Sequence, residues 1–109
     1  MTKRIPFVCT GNIARSPTAE KLFTGRDKFE VISAGTLIRA RKKVTINLID
    51  WSDIIFVMEN YHKKAILNLK PTAKNKIIVL NISDRYFRDD PELIKILKLK
   101  LLEYLKINW

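Results

Sequence analysis

The sequence predicts an α/β fold, a small doubly wound sheet of four parallel strands flanked by helices, and three observations lead to it. Four short apolar segments with the character of strands alternate along the chain with segments of helical character. Two of the four, over residues 53–58 and 76–80, are continuous apolar runs, which is typical of strands buried on both faces of a sheet. The chain has 109 residues, 47% of them hydrophobic, so we expect a single domain over residues 1–109 with a substantial core.

The first half of the chain is expected to hold two strands, a helix and a loop. The segment RIPFV predicts a strand over residues 4–8, and PTAEKLF predicts a helix over 17–23 with Gly25 as its stop. FEVIS alternates in polarity and predicts a second strand over 29–33. Residues 34–43 form a loop whose tip, RARKK, is basic.

The second half of the chain alternates in the same way. It predicts a helix over 44–51, a strand over 53–58, a helix over 59–69, a strand over 76–80 and a long helix over 91–107. Right-handed crossovers between parallel strands place the ligand site beyond the carboxyl ends of the strands. The residues expected at that edge are Cys9, Ser33, Glu59 and the loop after Leu80.

The charge and cysteine content narrow the classes of partner and compartment. Lysine and arginine total 21 against 11 aspartate and glutamate, a net charge of +10, which favours phosphorylated substrates, nucleic acid or anionic membranes as partners. Because the basic residues are spread along the chain, an ordinary solvated surface is the alternative for most of them. The single cysteine excludes an internal disulfide and fits a reducing compartment. With no signal peptide and no run of roughly 20 apolar residues, we expect a cytoplasmic protein without membrane association.

The segment from Cys9 to Ser16 runs from a strand end into a helix start and has the composition of an anion-binding loop. Its backbone N–H groups lack partners there and can point at an anion such as phosphate. Gly11 allows a tight turn, and Asn12 tolerates left-handed backbone angles. Ser16 is expected to cap the helix, with Pro17 in the first helical position. The candidate phosphate-binding residues are Thr10, Gly11, Asn12, Ile13, Ala14, Arg15 and Ser16.

Cys9 is the candidate nucleophile at the base of this loop. The ring of N–H donors and Arg15 favour its thiolate, and the Arg15 guanidinium can bind two phosphoryl oxygens. Together these properties suit thiolate attack on phosphorus and a phosphocysteine intermediate. The alternative is that a lone cysteine at a strand end is an ordinary core residue. The Cys-x5-Arg spacing by itself is weak evidence for a catalytic cysteine. Its combination with a glycine turn and a helix start is far more specific to such a site.

The same loop resembles that of the low-molecular-weight protein tyrosine phosphatases, which is approximately V-C-x-G-N-I-C-R-S-P-x-A-E. SAGT at residues 33–36 and, more weakly, SDIIFVM at 52–58 are similar to two further segments of that family, so the resemblance spans most of the chain. The matching loop positions are Val8, Cys9, Gly11, Asn12, Ile13, Arg15, Ser16, Pro17, Ala19 and Glu20.

The resemblance implies roles for several of these residues. Cys9 would be the nucleophile, Arg15 would bind the phosphoryl group, and the Ser16 hydroxyl would stabilise the leaving thiolate. Asn12 would hold the shape of the loop through hydrogen bonds, with Ser33 as a supporting partner.

Two departures from the family pattern bear on the chemistry. The family usually has a second cysteine in the loop, at the position of Ala14, so the protective disulfide cannot form and Cys9 should be open to overoxidation. The segment after SAGT is short and carries Leu37, Ile38 and a basic run in place of the family's aromatic residue. We therefore expect a shallower and more basic cleft.

A general acid must protonate the leaving group, and the family uses an Asp-Pro after the fourth strand, followed by aromatic residues. Asp90 precedes a proline, but Asp-Pro-Glu is also a good helix start, which is the favoured explanation of that dipeptide. Asp84 fits better by context, because Tyr86 and another aromatic residue follow it, although Arg85 replaces the proline. We prefer Asp84, then Asp90, then Asp89. Tyr86 is a supporting residue that either stacks on an aromatic substrate or packs internally.

These features predict a phosphomonoesterase that acts on phosphotyrosine in a protein, or on a small phosphomonoester, with no metal or organic cofactor. Ile13 matches tyrosine-directed members, whereas the related phosphoarginine phosphatases tend to have threonine there. Arsenate reductases share this fold and loop, but their redox relay needs further cysteines, and with Cys9 alone an intramolecular relay is impossible. The alternative is a catalytically weak module that binds phosphate or nucleic acid; nucleic acid is the less favoured partner. His62, the only histidine, is expected to be exposed rather than catalytic.

Overall fold

The computed structural model describes residues 2–109 and confirms the α/β fold class. A 3₁₀ helix, Pro71–Lys76, precedes the last strand and was not predicted. The strands are β1 (Lys3–Cys9), β2 (Phe29–Gly35), β3 (Ile55–Val57) and β4 (Ile77–Val79), and the helices are α1 (Arg15–Lys21), α2 (Ile46–Trp51), α3 (Asn60–Leu69) and α4 (Pro91–Leu102).

The four strands form one parallel sheet in the order β2-β1-β3-β4. Strand β1 lies between β2 and β3, so the chain first moves to one side of β1 and then returns to the other side. In such sheets a crevice opens at the carboxyl end of the strand where this reversal occurs. Cys9 is the last residue of β1 and therefore lies at the reversal point.

The core has two apolar layers, one on each face of the sheet. Because side chains alternate along a strand, Phe7 and Val8 point to opposite faces. On the face of Phe7, α1 and α4 contribute buried residues such as Ala19 and Leu97. On the face of Val8, α2 and α3 contribute Ile49 and Ile66. Helices thus cover both faces, as a doubly wound fold requires.

All eight predicted elements differ from the structure at one or both ends, by one to five residues. Helix α1 begins at Arg15 rather than at Pro17, because the helical conformation starts inside the anion-binding loop. Strand β3 has only three residues, Ile55–Val57. Helix α4 ends at Leu102 rather than at residue 107, and the last residues turn back so that the Trp109 indole N–H donates to the Lys98 carbonyl at 3.0 Å.

Among residues 2–109, no helix combines the length and the apolar character that a transmembrane span requires.

Candidate active site

The loop between β1 and α1 is fixed by hydrogen bonds to its outward-facing carbonyl groups. Three donors come from the backbone of the segment after β2, and two come from arginine side chains on different loops. The Cys9 carbonyl accepts from Thr36 N–H at 3.0 Å, the Thr10 carbonyl accepts from Leu37 N–H at 3.1 Å, and the Gly11 carbonyl accepts from Arg41 N–H at 3.1 Å. The Asn12 carbonyl accepts from Arg41 Nε at 3.1 Å, and the Ile13 carbonyl accepts from Arg88 Nε at 2.9 Å.

The N–H groups of the same loop are left without partners. Within residues 2–109, no backbone N–H from Thr10 to Ser16 donates to a protein acceptor. Asn12 has φ = 57°, the left-handed conformation that brings successive N–H groups onto one side. The loop is therefore a cradle of donors, defined here as residues 10–16, and it suits a small anion such as phosphate.

A cavity of about 170 Å³ opens over this cradle. A larger cavity of about 400 Å³ lies near the other end of β1, beside Lys3 and Lys28, and contains none of the residues with candidate chemistry. We take the smaller cavity as the site because it alone combines a nucleophile, an arginine and a carboxylate. Its lining residues are Cys9, Thr10, Gly11, Ile13, Ala14, Arg15 and Asp84.

The Cys9 thiol lies at the base of the cavity and is 3% exposed. Its Sγ is 3.0 Å from Ser16 Oγ, and Ser16 Oγ in turn accepts a hydrogen bond from Asn12 Nδ2 at 2.9 Å. The prediction that Ser16 caps α1 is wrong, since Ala14 is the N-cap residue and has no side-chain cap. The Ser16 hydroxyl is buried and directed toward Cys9 and the Ala34 carbonyl, which lies 3.2 Å away.

The expected hydrogen bond between Asn12 and Ser33 is also absent from the described residues. Ser33 Oγ donates instead to Glu20 Oε1 at 2.5 Å, because its side chain points from β2 to the face that α1 covers. Asn12 Oδ1 is buried and has no partner within residues 2–109. Within residues 2–109, the Asn12 side chain therefore supports the loop through its bond to Ser16.

Arg15 is buried and tied to three different segments. One terminal nitrogen, Nη1, donates to Glu59 Oε2 at 2.6 Å and to the Ile82 carbonyl at 2.7 Å, while Nη2 donates to Thr10 Oγ1 at 3.2 Å. Burial acts to lower the pKa of Arg15, but the Glu59 hydrogen bond and the nearby negative charges outweigh it and raise the pKa. For Glu59, burial acts to raise the pKa, but the hydrogen bonds that the carboxylate accepts from Arg15 and Tyr61 outweigh it and lower the pKa. Both groups are therefore charged at neutral pH.

His62 is fully buried, so the prediction of an exposed histidine is wrong. It lies on the inward face of α3, one turn before the buried Ile66. Its Nδ1 accepts the backbone N–H of Glu59 at 2.9 Å, which leaves the proton of the neutral ring on Nε2. That Nε2 lies 2.8 Å from Thr10 Oγ1, so His62 donates to the cradle.

The buried histidine completes a network that sequence reasoning missed. Thr10 Oγ1 is also 2.8 Å from the Tyr61 hydroxyl, and that hydroxyl donates to Glu59 Oε2 at 2.9 Å. The network joins the cradle to α3 and holds Arg15 at both terminal nitrogens. The available signal was the E-x-x-H spacing directly after a strand, which is the spacing of a capping box at a helix start.

The three candidate aspartates lie in different environments. Asp84 is exposed and lines the cavity. Asp90 caps α4 and accepts the Glu92 N–H at 2.9 Å, while Asp89 lies 3.5 Å from the Lys21 ammonium. Of the three, only Asp84 faces the cavity in the described part of the chain.

Exposed apolar side chains occur in the cradle and in the two segments that bind its carbonyls. Ile13 belongs to the cradle, Leu37 and Ile38 follow β2, and Phe87 precedes the arginine that binds the Ile13 carbonyl. Tyr86 is 8% exposed and packs in the core, so its ring is not available for stacking. The exposed fractions are 67% for Ile13, 53% for Leu37, 86% for Ile38 and 68% for Phe87.

We expect Gly35→Ala to damage the cradle. An added Cβ would lie 2.6 Å from the Thr10 carbonyl oxygen and 3.0 Å from Asn12 N, so the backbone of the cradle would have to move. Overpacking of this kind costs roughly 1–3 kcal/mol of stability. Affinity for inorganic phosphate, measured by calorimetry, should fall roughly tenfold, which is about 1.4 kcal/mol.

Gly25→Ala is the matched control for this prediction. Gly25 has φ = 79° and open space around it, so alanine should cost about 1 kcal/mol through backbone strain and leave phosphate affinity unchanged. Equal phosphate affinity in the two variants would contradict the assignment of the cradle.

We expect the stability of the protein to fall in mild acid because of His62. Burial, and to a lesser degree the charge of Arg15, lower the pKa of His62 from 6.5 to about 4. The unfolded chain therefore takes up a proton below pH 6.5 that the folded chain does not, and stability is lost as the pH falls toward about 4. The loss should be on the order of 3 kcal/mol.

Urea unfolding across this pH window measures the effect, with His62→Gln as the control. Glutamine does not titrate, so the difference in free energy of unfolding between wild type and variant should shrink as the pH falls. Two curves that stay parallel across the window would contradict the assignment of a buried neutral His62.

Within residues 2–109, no cluster of three or more His, Cys, Asp or Glu side chains is arranged to hold a metal ion.

Comparison with known sequences supports the same site. Residues 4–49, which include the whole cradle, match the family model described as low molecular weight phosphotyrosine protein phosphatase. A protein-arginine-phosphatase of Geobacillus stearothermophilus is 30% identical to this chain, and the match covers 73% of this chain and 70% of the relative.

Solved structures share the fold over almost the whole chain. The low molecular weight protein tyrosine phosphatase of Streptococcus pyogenes has a TM-score of 0.80 at 21% identity, covering 96% of this chain and 92% of its own. The arginine phosphatase of Geobacillus stearothermophilus has a TM-score of 0.74 at 26% identity, and the match covers 95% of this chain and 93% of that protein. The chain therefore belongs to the low molecular weight protein tyrosine phosphatase family and is a cysteine-dependent phosphatase.

Proposed function

We propose that this chain hydrolyses phosphomonoesters, protein phosphotyrosine in particular, through a phosphocysteine intermediate on Cys9. The observation that carries the proposal is the position of the Cys9 thiol at the base of the cavity, beneath a loop in which the carbonyls of residues 9–13 are bound from outside. The unpartnered N–H groups of the cradle can bind the equatorial oxygens of a phosphoryl group directly above the sulfur.

In the first step, the Cys9 thiolate attacks phosphorus, a sulfur–phosphorus bond forms and the bond to the leaving oxygen breaks. Asp84, in its protonated form, gives its proton to that oxygen as it departs. The Arg15 guanidinium and the cradle N–H groups stabilise the charge that spreads over the phosphoryl oxygens. The first step releases the dephosphorylated alcohol or phenol.

In the second step, water attacks the phosphocysteine and the Asp84 carboxylate takes one of its protons. The sulfur–phosphorus bond breaks, and inorganic phosphate and the Cys9 thiolate are formed. Ser16 has one hydroxyl proton, and its oxygen lies 3.0 Å from Cys9 Sγ, so it can donate to the departing thiolate. Asp84 is thereby returned to its protonated form.

Exposed apolar side chains in and beside the cradle favour an aromatic leaving group. Ile13 lines the cavity, and the segments that bind the cradle add exposed apolar surface on which a phenyl ring can be buried, from Leu37, Ile38 and Phe87. A second candidate substrate is phosphoarginine, which is favoured by the similarity to a protein-arginine-phosphatase. The chain's net charge of +10 weighs against it, because the leaving group would be a guanidinium cation.

The experiment is steady-state hydrolysis of two aryl phosphates, one with a good and one with a poor phenolate leaving group. Cys9→Ser should abolish turnover of both. Asp84→Asn should lower kcat roughly 10²- to 10⁴-fold with the poor leaving group and much less with the good one, because only a poor leaving group needs the proton. Asp89→Asn is the matched control and should retain activity.

Three results would contradict parts of the proposal. Absence of turnover by reduced wild type would leave a phosphate-binding module as the better description. Full activity in Cys9→Ser would exclude the covalent mechanism. Faster hydrolysis of a phosphoarginine peptide than of the matched phosphotyrosine peptide would reverse the choice of substrate.

A further inference from the structure

Two arginines approach the outer side of the cradle from different loops. Arg41 follows β2 and donates from Nε to the Asn12 carbonyl at 3.1 Å; Arg88 follows β4 and donates from Nε to the Ile13 carbonyl at 2.9 Å. Neither side chain lines the cavity, and both residues are exposed. Both guanidinium groups therefore lie beside the cradle and outside the lining of the cavity.

The terminal nitrogens of both guanidinium groups are unengaged in the structure. Within residues 2–109, Arg41 and Arg88 use only their Nε atoms in side-chain hydrogen bonds, and neither forms an ion pair. Four other cations differ in this respect. Carboxylates lie within 4.0 Å of Arg15, Lys21, Lys42 and Arg85, in the pairs Arg15–Glu59, Lys21–Asp89, Lys42–Glu20 and Arg85–Glu92.

The two Nε atoms are anchored on consecutive residues of the cradle, Asn12 and Ile13. Among residues 2–109, no carboxylate lies within 4.0 Å of either guanidinium group. An anion that reached both groups would therefore be attracted by two positive charges. A guanidinium presents its two terminal nitrogens in the geometry that a carboxylate accepts.

We propose that Arg41 and Arg88 form a second anion subsite beside the cradle, which binds an acidic side chain next to the phosphorylated residue of a peptide substrate. The inference rests on the proposed function, because it assumes that the phosphoryl group occupies the cradle. An extended peptide advances about 3.3–3.6 Å per residue, so residues one or two positions away can pass beside the cradle, where the two arginines lie.

A peptide fits this arrangement better than a nucleic acid does. Ile13 is exposed, lines the cavity and provides the carbonyl that Arg88 binds, so its apolar side chain suits the ring of a phosphorylated tyrosine. The cradle closes around one phosphoryl group at the base of a cavity of about 170 Å³, a geometry for a terminal monoester rather than an internal phosphodiester. The subsite thus selects the sequence around a phosphomonoester.

The test compares kcat/KM for three phosphotyrosine peptides that differ only in flanking residues, which are aspartate, asparagine or lysine. Wild type should favour the aspartate peptide over the asparagine peptide roughly fivefold and disfavour the lysine peptide, as expected for exposed charge contacts. The preference should decline as salt is added, because exposed charges are screened.

Variants identify the residues responsible. Arg41→Gln and Arg88→Gln should each reduce the ratio of aspartate to asparagine peptide, and the double variant should bring it close to one. Arg39→Gln is the matched control, since this exposed arginine lies in the same loop but makes no side-chain hydrogen bond within residues 2–109. A general loss of activity from disturbance of the cradle would affect both peptides equally. It would therefore leave the ratio of their kcat/KM values unchanged.

The outcomes separate this inference from the proposed function. If wild type does not hydrolyse a small aryl phosphate, the proposed function fails. If it does, two results would contradict the subsite. The three peptides could react at equal rates, or the double variant could keep the wild-type ratio of kcat/KM between the aspartate and asparagine peptides. Competitive inhibition by an oligonucleotide that depends on Arg41 and Arg88, without any peptide preference, would assign the two arginines to nucleic acid and overturn the proposal.

Discussion

The carbonyl groups of residues 9–13 all accept hydrogen bonds from outside the loop, and this outward tethering leaves the N–H groups facing the cavity. A short loop with so many unpaired donors would be unfavourable if buried without an anion or water. The tethers come from the segment after β2 and from a residue after β4. The anion-binding property of the cradle is therefore produced by the assembled sheet edge rather than by the loop sequence alone.

Arg15 is also positioned by contacts from other segments of the chain. The side chain is buried, and burial of a charged group is tolerated only when it is paired and hydrogen-bonded. Glu59 supplies the counter-charge, the Ile82 carbonyl takes a second N–H, and Thr10 takes a third. Because Thr10 is itself held by neutral His62, the cradle, α3 and the arginine form one connected unit. Loss of any member leaves another polar group without its partner.

Local patterns predicted the fold and the base of the site, and tertiary contacts account for what they missed. The strand that ends at Cys9 and the left-handed Asn12 follow from short-range rules, and both are confirmed. The capping rule failed for Ser16, because its hydroxyl is used across the loop toward Cys9. Burial of His62, and the reach of Arg88 to the Ile13 carbonyl, depend on segments far apart in the sequence. No local pattern contains such contacts.

Covalent phosphorylation of Cys9 is the central claim, and trapping the intermediate tests it most directly. Asp84→Asn would be mixed with an aryl phosphate that has a good leaving group, quenched in acid and analysed by intact mass and peptide mapping. The leaving group departs without assistance, while hydrolysis of the intermediate lacks its base, so the intermediate should accumulate. The account predicts one added phosphoryl group, located on Cys9. Turnover without a covalent species, or a phosphoryl group on another residue, would contradict it.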